Sequence, residues 1–365
     1  MRLLILEGSG NLWGSERALL DLIDSLKGSS LELAVCCPPA RPLQPELEVR
    51  GLAVYPSFVY ALHEKSKVQR LLAAWGLFHA CRSFQPDLIY LNQAGAARIA
   101  GLVSRILGIP VVAHVRIFED AAYLAGLRPS PKWLRGVIAI SGAIETELKS
   151  HRALEHIPVR TLYDAYQMTS GNQTPVGDGG RKGRIACAGR LTPIKGQEVL
   201  VEAIGALRHQ GSEIECIFVG SGDPGFEQRL RALAESCGAS QSVEWLGFRD
   251  DVPELLRTVS VLVCPSHREP LGRVIFEAWD EGCVPIVFAG SGGAAEVVRA
   301  SGGGIIYESQ DPKALAGAIQ RALELNQDEC KAFVNKGREW LRSKVSLNVY
   351  GEAIAETFSS AMAER

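Results

Sequence analysis

Residues 261–287 read VLVCPSHREPLGRVIFEAWDEGCVPIV. The run at 261–264 is apolar at every position and too short for a helix. Residues 285–287 form a second such run, and 272–281 between them place apolar side chains at helical spacing. Strands apolar on both faces and joined by a helix belong to a buried parallel sheet. The same alternation extends outward on both sides. Strands are predicted at 185–188, 215–219, 243–246 and 304–307, with helices at 196–209, 224–237, 252–259, 294–300, 312–325 and 329–344. The second half therefore reads as one doubly wound α/β domain over 184–345.

The first half repeats the pattern. Strands are predicted at 3–6, 33–36, 53–55, 88–91, 111–114 and 137–140, and helices at 15–27, 68–84, 94–107 and 142–150. That makes an N-terminal Rossmann-like domain over 1–165. Residues 166–183 separate the two, ending in TSGNQTPVGDGGRKG at 169–183, polar, Gly-rich and without periodicity, as an interdomain linker should be. Two doubly wound domains facing each other enclose a central cleft, and ligands of open α/β sheets bind beyond the carboxyl ends of the strands.

Composition narrows the function. The chain has 365 residues, 47% apolar and 22% charged, which is ordinary globular usage and excludes a disordered chain, a collagen-like repeat or a coiled-coil rod. Net charge is 39 − 41 = −2, so no global basic field points to nucleic acid. Residues 1–163 hold 18 Lys/Arg against 14 Asp/Glu, and the remainder 21 against 27, which leaves room for an anionic or membrane-surface partner on the first half. Nine cysteines, an odd number without C-x-x-C or metal-type spacing, read as small buried hydrophobes in a reducing cytoplasm. MRLLILEGSG runs straight into a Gly-rich turn, unlike a signal peptide, and no apolar run reaches the ~18–20 residues of a spanning helix. The expected location is cytoplasmic, in solution or at the inner face of the cell membrane.

Three loops after predicted strands can carry chemistry. Gly189-Arg190-Leu191-Thr192-Pro193-Ile194-Lys195-Gly196 puts two cations five residues apart where the sheet opens, an arrangement suited to a diphosphate; one such cation alone would read as a solvated loop charge. Gly220-Ser221-Gly222 permits positive φ and close backbone approach to a ligand, although Gly-rich turns are common in α/β proteins. In the opening stretch, Pro270 keeps Glu269 out of the following helix, and Gly272 and Arg273 open that helix, whose free N–H groups favour an anion. Glu269 and Glu277 can accept hydroxyl hydrogen bonds. Two glutamates eight apart carry no weight by themselves; the strand, Glu-Pro-x-Gly and helix around them do.

With these loops in order, the second half resembles the nucleotide-binding domain of the family 4 retaining glycosyltransferases, which have the GT-B fold. The resemblance runs through AGRLTPIKGQEVLVEAI, FVGSGD, VEWLGFRDDVPELLRTVSVLVCPSHREPLGRVIFEAWDEGCVPIV and GSGGAAEVV. It implies that Arg190 and Lys195, with Gly189, Gly220, Ser221 and Gly222 beside them, bind the diphosphate of a nucleotide-sugar donor. It further implies that Glu269 contacts the transferred sugar and Glu277 the ribose, with the backbone of Leu271, Gly272 and Arg273 at the sugar and phosphates. Gly247, Phe248 and Arg249 lie against the nucleobase, and a C-terminal helix over 346–365 crosses back to the first domain. The first half matches less fully. The family's Gly-Gly-x-Glu segment corresponds to Gly10-Asn11-Leu12-Trp13-Gly14-Ser15-Glu16-Arg17, with Trp13 replacing one glycine and Gly14 still able to approach a phosphate. His114 stands where the family often has a histidine touching the donor sugar. Trp13, Arg116 and Glu119 are placed toward the acceptor, and Asp164 replaces a hinge asparagine.

The reaction expected from the resemblance is retaining transfer of a hexosyl group from a GDP- or UDP-linked sugar to a glycan, glycolipid or small hydroxyl acceptor. No Asp-x-Asp motif is present, so no metal cofactor is expected and fixed cations take its place at the leaving group. Two other readings share the architecture: a nucleotide-sugar 2-epimerase, which leaves the Glu269-to-Glu277 block unexplained, and an inactive nucleotide-binding scaffold, which leaves the four charged residues unexplained. A dinucleotide dehydrogenase fits least, because Trp13 occupies the third glycine position of G-x-G-x-x-G.

Overall fold

The apolar runs pair in parallel throughout. In the computed structural model, which describes residues 1–57, 66–127, 133–169 and 183–363, the first sheet contains β1 (Arg2–Leu6), β2 (Glu32–Cys37), β3 (Ala53–Pro56), β4 (Leu88–Leu91), β5 (Val111–Val115), β6 (Leu134–Ala139) and β7 (Val159–Thr161). Their order is β3-β2-β1-β4-β5-β6-β7. Crossovers are made by α1 (Gly14–Ser25), α2 (Leu43–Val49), α3 (Lys67–Phe84), α4 (Ala97–Leu107), α5 (Phe118–Ala125) and α6 (Gly142–Ser150). Short-range chemistry sets several ends. Ser66 and Gln69 cap α3 reciprocally, and α4 stops at Gly108 with φ +71°.

The second sheet contains β8 (Arg184–Ala188), β9 (Glu215–Val219), β10 (Val243–Gly247), β11 (Val261–Cys264), β12 (Val284–Phe288) and β13 (Ile305–Tyr307), in the order β10-β9-β8-β11-β12-β13. It carries α7 (Gln197–His209), α8 (Pro224–Ser236), α9 (Val252–Leu256), α10 (Arg273–Asp280), α11 (Gly293–Ser301), α12 (Pro312–Glu324) and α13 (Gln327–Lys344). Asp223 and Asp311 each accept backbone N–H bonds at the start of α8 and α12, with proline at the first helical position.

By contacts the chain falls into two units, Met1–Gln167 with Lys344–Arg365, and Met168–Ser343. The last helix, α14 (Leu347–Ala363), belongs to the first: Tyr350, Ile354 and Phe358 enter the same core as Leu19, Leu22 and Ile23 of α1. Gly351 lets the two helices touch, since a Cβ there would stand 2.3 Å from the Ser25 carbonyl oxygen. The two α/β domains and the returning helix agree with the expected fold class.

Sequence periodicity missed α2, α5 and β7. Helix α2 contributes two buried apolar residues, Leu43 and Leu47, and β7 is a three-residue edge strand, half-buried throughout; both are too short to show a period. The helix predicted over 252–259 ends at Leu256, because β11 begins four residues after the Arg257 cap. Most of the expected linker lies outside the described residues. All nine cysteines are free, eight of them buried and Cys237 half-buried.

Candidate functional site

In the second sheet the strand order reverses between β8 and β11, and a crevice opens beyond the carboxyl ends of such a pair. The loops leaving those two strands bring Lys195 and Glu269 together. Lys195 Nζ donates to Glu269 Oε2 at 2.6 Å, and Ser266 Oγ donates to the same oxygen at 3.1 Å. Burial opposes the charge on Lys195, but Glu269 outweighs it and holds the ammonium above the ordinary lysine value. Lys195 is therefore a fixed cation at neutral pH. Glu269 is buried on the carboxylate side of this pair and keeps Oε1 for another donor.

Four loops are zipped together to make this arrangement. Gly189 N–H donates to Val219 O at 2.9 Å and Leu191 N–H to Ser221 O at 3.1 Å, so the loops after β8 and β9 continue as a pair. The fit requires glycine: a Cβ on Gly220 would stand 2.0 Å from Gly189 O, and one on Gly222 1.9 Å from Leu191 O. His267 N–H donates to Ile194 O at 2.9 Å, joining the loops after β8 and β11. Glu269 is then clamped on both sides, its N–H donating to Ser291 O at 2.6 Å and its C=O accepting from Gly293 N–H at 2.9 Å. Backbone bonds thus set where its carboxylate stands.

The other expected residues of this unit lie around the same loops. Arg190 is exposed, five residues before Lys195. Gly272, at φ +83°, caps α10, which Arg273 opens, and Glu277 follows one turn later, half-buried. Leu271 is buried and supports the turn through packing. Gly247 has φ +65° at the end of β10, and Phe248 beside it is 63% exposed, a large ring with nothing packed over most of it. Arg249 is tied to Asp251 at 2.7 Å, and Ser221 is exposed at its turn.

The first unit has its own polar cluster at the corresponding reversal, between β1 and β4. Asn92, just past β4, donates to Glu7 Oε2 at 2.5 Å, just past β1, while Glu7 Oε1 accepts Ser9 N–H at 2.8 Å. Glu16 of α1 accepts from the Ser9 hydroxyl and, at 3.1 Å, from Trp13 N–H. Burial, helped by Glu16, raises the Glu7 carboxyl to about 7. The charged and titratable groups acting on it are Glu16 from α1, Arg116 beyond β5, Tyr90 from β4 and Cys37 from β2.

A raised carboxyl pKa has a definite sign in stability. Between about 4.5 and 7 the folded chain keeps a proton that the unfolded chain has lost, so stability present at low pH drains away as pH rises through that window. The maximum is about 3 kcal/mol. Asp120, raised to about 6 mainly by burial, adds the same sign. Thermal melts from pH 5.5 to 8 are expected to show a falling midpoint that is flatter in Glu7→Gln; an unchanged slope would remove Glu7 from the account.

Arg116 corrects the expectation that it faces an acceptor. It is buried, with Nε on Asn92 O at 2.9 Å, Nη2 on Asn92 Oδ1 at 3.0 Å and Nη1 on Asp164. The guanidinium is turned inward, and the aspartate at the expected hinge is its counterion. His114 is wholly buried; its Nδ1 shares a 2.7 Å bond with Tyr90 Oη. Burial, then the Arg116 charge, hold it neutral, and Nε2 has no partner among the described residues. Trp13 and Glu119 are exposed, and Gly14 begins α1 with open space where a side chain would go.

Sequence reasoning quoted Ser266, Ser291, Gly293 and Glu16 within motifs without assigning them a role, and missed Glu7 and Asn92. Ser291 and Gly293 carried a signal, a Gly-Ser-Gly-Gly run shortly after β12. Glu7 and Asn92 carried one too, each a polar residue at the carboxyl end of an apolar run. Among the described residues no three His, Cys, Asp or Glu side chains are grouped to hold a metal ion, and no helix is long and apolar enough to cross a membrane.

Comparison with known proteins agrees with the fold. Residues 176–340 match the family described as glycosyl transferases group 1, and residues 14–145 the glycosyl transferase 4-like domain. A GDP-mannose-dependent alpha-(1-6)-phosphatidylinositol monomannoside mannosyltransferase of Mycobacterium tuberculosis is 30% identical over 174 residues, which span 45% of this chain and 44% of that protein. The lipopolysaccharide core biosynthesis glycosyltransferase LpsD of Rhizobium meliloti is 23% identical over 98% of both chains. Among solved structures, Anabaena HepE in complex with UDP and glucose superposes with a TM-score of 0.81 at 22% identity, covering 99% of this chain and all of that one.

Proposed function

The chain belongs to the family 4-type group 1 glycosyltransferases, and from that premise we propose that it moves a hexosyl group from a GDP- or UDP-linked sugar to a hydroxyl of a glycan, glycolipid or small acceptor, with retention and without a metal ion. One observation carries the reading. A fixed ammonium, a buried carboxylate and a helix N-terminus converge at the strand reversal of the second sheet, where a pyrophosphate and its sugar would be held.

Departure of the nucleoside diphosphate develops negative charge on the phosphates. Lys195 and Arg190 supply positive charge there, and the free N–H groups at the start of α10 supply dipole, none of it needing to reorganise during the reaction. Lys195 has three N–H donors and gives one to Glu269, so the others remain for phosphate oxygens. Glu269 Oε1 accepts a hydroxyl of the transferred sugar, and Glu277 the ribose hydroxyls. Phe248 stacks on the base. In the first unit, neutral His114 offers Nε2 to a ligand hydroxyl. Glu269 is tied to Lys195 and serves as a hydroxyl acceptor rather than a nucleophile. The route is therefore front-face, the leaving phosphate oxygen taking the acceptor's proton as the new glycosidic bond forms. Nine free thiols suit the reducing cytoplasm as its setting.

Titration calorimetry with UDP, GDP and ADP tests the site first. Binding of one of them, lost in Glu277→Ala, is expected, and no binding at millimolar concentration would favour a scaffold. Incubating the donor without acceptor separates the epimerase, which isomerises the sugar, from the transferase, which at most hydrolyses it. Transfer is expected to continue in EDTA; turnover lost to chelator and restored by Mg²⁺ or Mn²⁺ would overturn metal independence.

A further inference from the structure

Tyr90 of β4 and His114 of β5 are both fully buried, and Tyr90 Oη lies 2.7 Å from His114 Nδ1. Tyr90 pairs with Val112, two residues before His114, so the two side chains leave the same face of the first sheet. One proton lies between the phenol oxygen and Nδ1, and its owner decides what the far side of the imidazole offers. With the proton on the phenol, Nδ1 accepts and Nε2 carries the neutral ring's hydrogen. With it on Nδ1, Nε2 is a bare lone pair. Nε2 is buried and has no partner among the described residues, so these two forms present opposite chemistry to a ligand.

The neighbours of the pair set the order. Burial pushes the Tyr90 phenol up, so it keeps its proton at neutral pH. Arg116 acts on the same phenol through its charge and as a hydrogen-bond partner. A guanidinium has donors only, so that bond runs into the phenol oxygen. Accepting it polarises the Tyr90 O–H and makes it a stronger donor, with the imidazole nitrogen 2.7 Å away. Burial, and after it the Arg116 charge, keep His114 from taking a second proton. Arg116 is itself fixed by both oxygens of Asn92 and by Asp164. Donation therefore runs from Arg116 to Tyr90 to His114, in one direction along a buried chain.

We propose that Tyr90 is a positioning residue whose hydroxyl donates to His114 Nδ1 and holds the imidazole as its Nε2–H tautomer, a donor toward a ligand oxygen. The ligand half rests on the transfer proposed above; the tautomer does not. Long-range ¹H–¹⁵N spectra of the ¹⁵N-labelled full chain, assigned with His114→Gln, read the tautomer without substrate. The parent is expected to show a protonated, pyrrole-type Nε2 and a bare, pyridine-type Nδ1. Tyr90→Phe removes the hydroxyl and keeps the ring that meets Phe358 edge-on at 5.4 Å. It should bring the Nδ1–H form into the spectrum. With UDP-glucose or GDP-mannose, whichever the parent turns over, it should lower kcat/KM about tenfold, the scale of one hydrogen bond, and leave UDP or GDP affinity unchanged. A role in packing alone would move the thermal midpoint and leave the tautomer as it was. Nδ1–H as the parent's form, or the same Nε2–H spectrum in Tyr90→Phe as in the parent, would overturn the proposal. Should the variant not fold, the parent's Tyr90 hydroxyl proton gives the same reading: slow exchange and a coupling across the bond to Nδ1 support the proposal, and their absence overturns it. Expected spectra with no transfer from any donor would remove the transfer and leave the tautomer assignment standing.

Discussion

Lys195→Ala is expected to lower kcat/KM for the nucleoside-diphosphate sugar by about 10²–10³, the scale of one preorganised electrostatic group removed from a transition state. Lys195 is half-buried and held in place by a 2.6 Å bond to Glu269. Its removal also strands the Glu269 carboxylate. The double variant Lys195→Ala with Glu269→Gln separates the two effects. If the lysine served only to neutralise Glu269, the double variant would match Glu269→Gln alone; if it stabilises the leaving phosphates, the double variant stays well below Glu269→Gln. Undiminished kcat/KM in Lys195→Ala would sink the assignment outright.

Arg116→Ala should destabilise the first unit by about 3–5 kcal/mol, read by urea unfolding. Asp164 would remain buried as a charge without its counterion, and Asn92 would lose bonds to both its oxygens. The mechanism predicts a rescue. Arg116→Met combined with Asp164→Leu removes both charges together and should recover most of the loss, because the penalty comes from an unpaired buried charge rather than from the absence of the pair. A single variant within 1 kcal/mol of the parent would show that solvent reaches Asp164 in the folded chain.

The second unit's site was legible because its loops are local. Arg190 and Lys195 sit within one strand-to-helix turn, and Glu269, Pro270 and Gly272 within another, so residue type and spacing already expressed what each turn could do. The pairing between turns was not legible. Lys195 and Glu269 are 74 residues apart, and their contact depends on β8 and β11 being neighbours. The first unit was read less well for the same reason: Glu7, Asn92, Arg116 and Asp164 come from four separate segments, and Arg116, expected to face an acceptor, has its partners on two of the others.

By itself the sequence determined two parallel α/β sheets and the turns that carry the charged residues, since hydrophobic period, turn glycines and helix caps are properties of a few consecutive residues; the returning helix was implied by the family resemblance. Tertiary structure decided which charges are paired, which are buried and which apolar residues are left outside. Leu71 and Trp75 on one face of α3 and Leu77 and Phe84 on another differ in nothing but what the rest of the chain covers. Coverage depends on strand order and helix packing, and those arise from contacts between segments far apart along the chain.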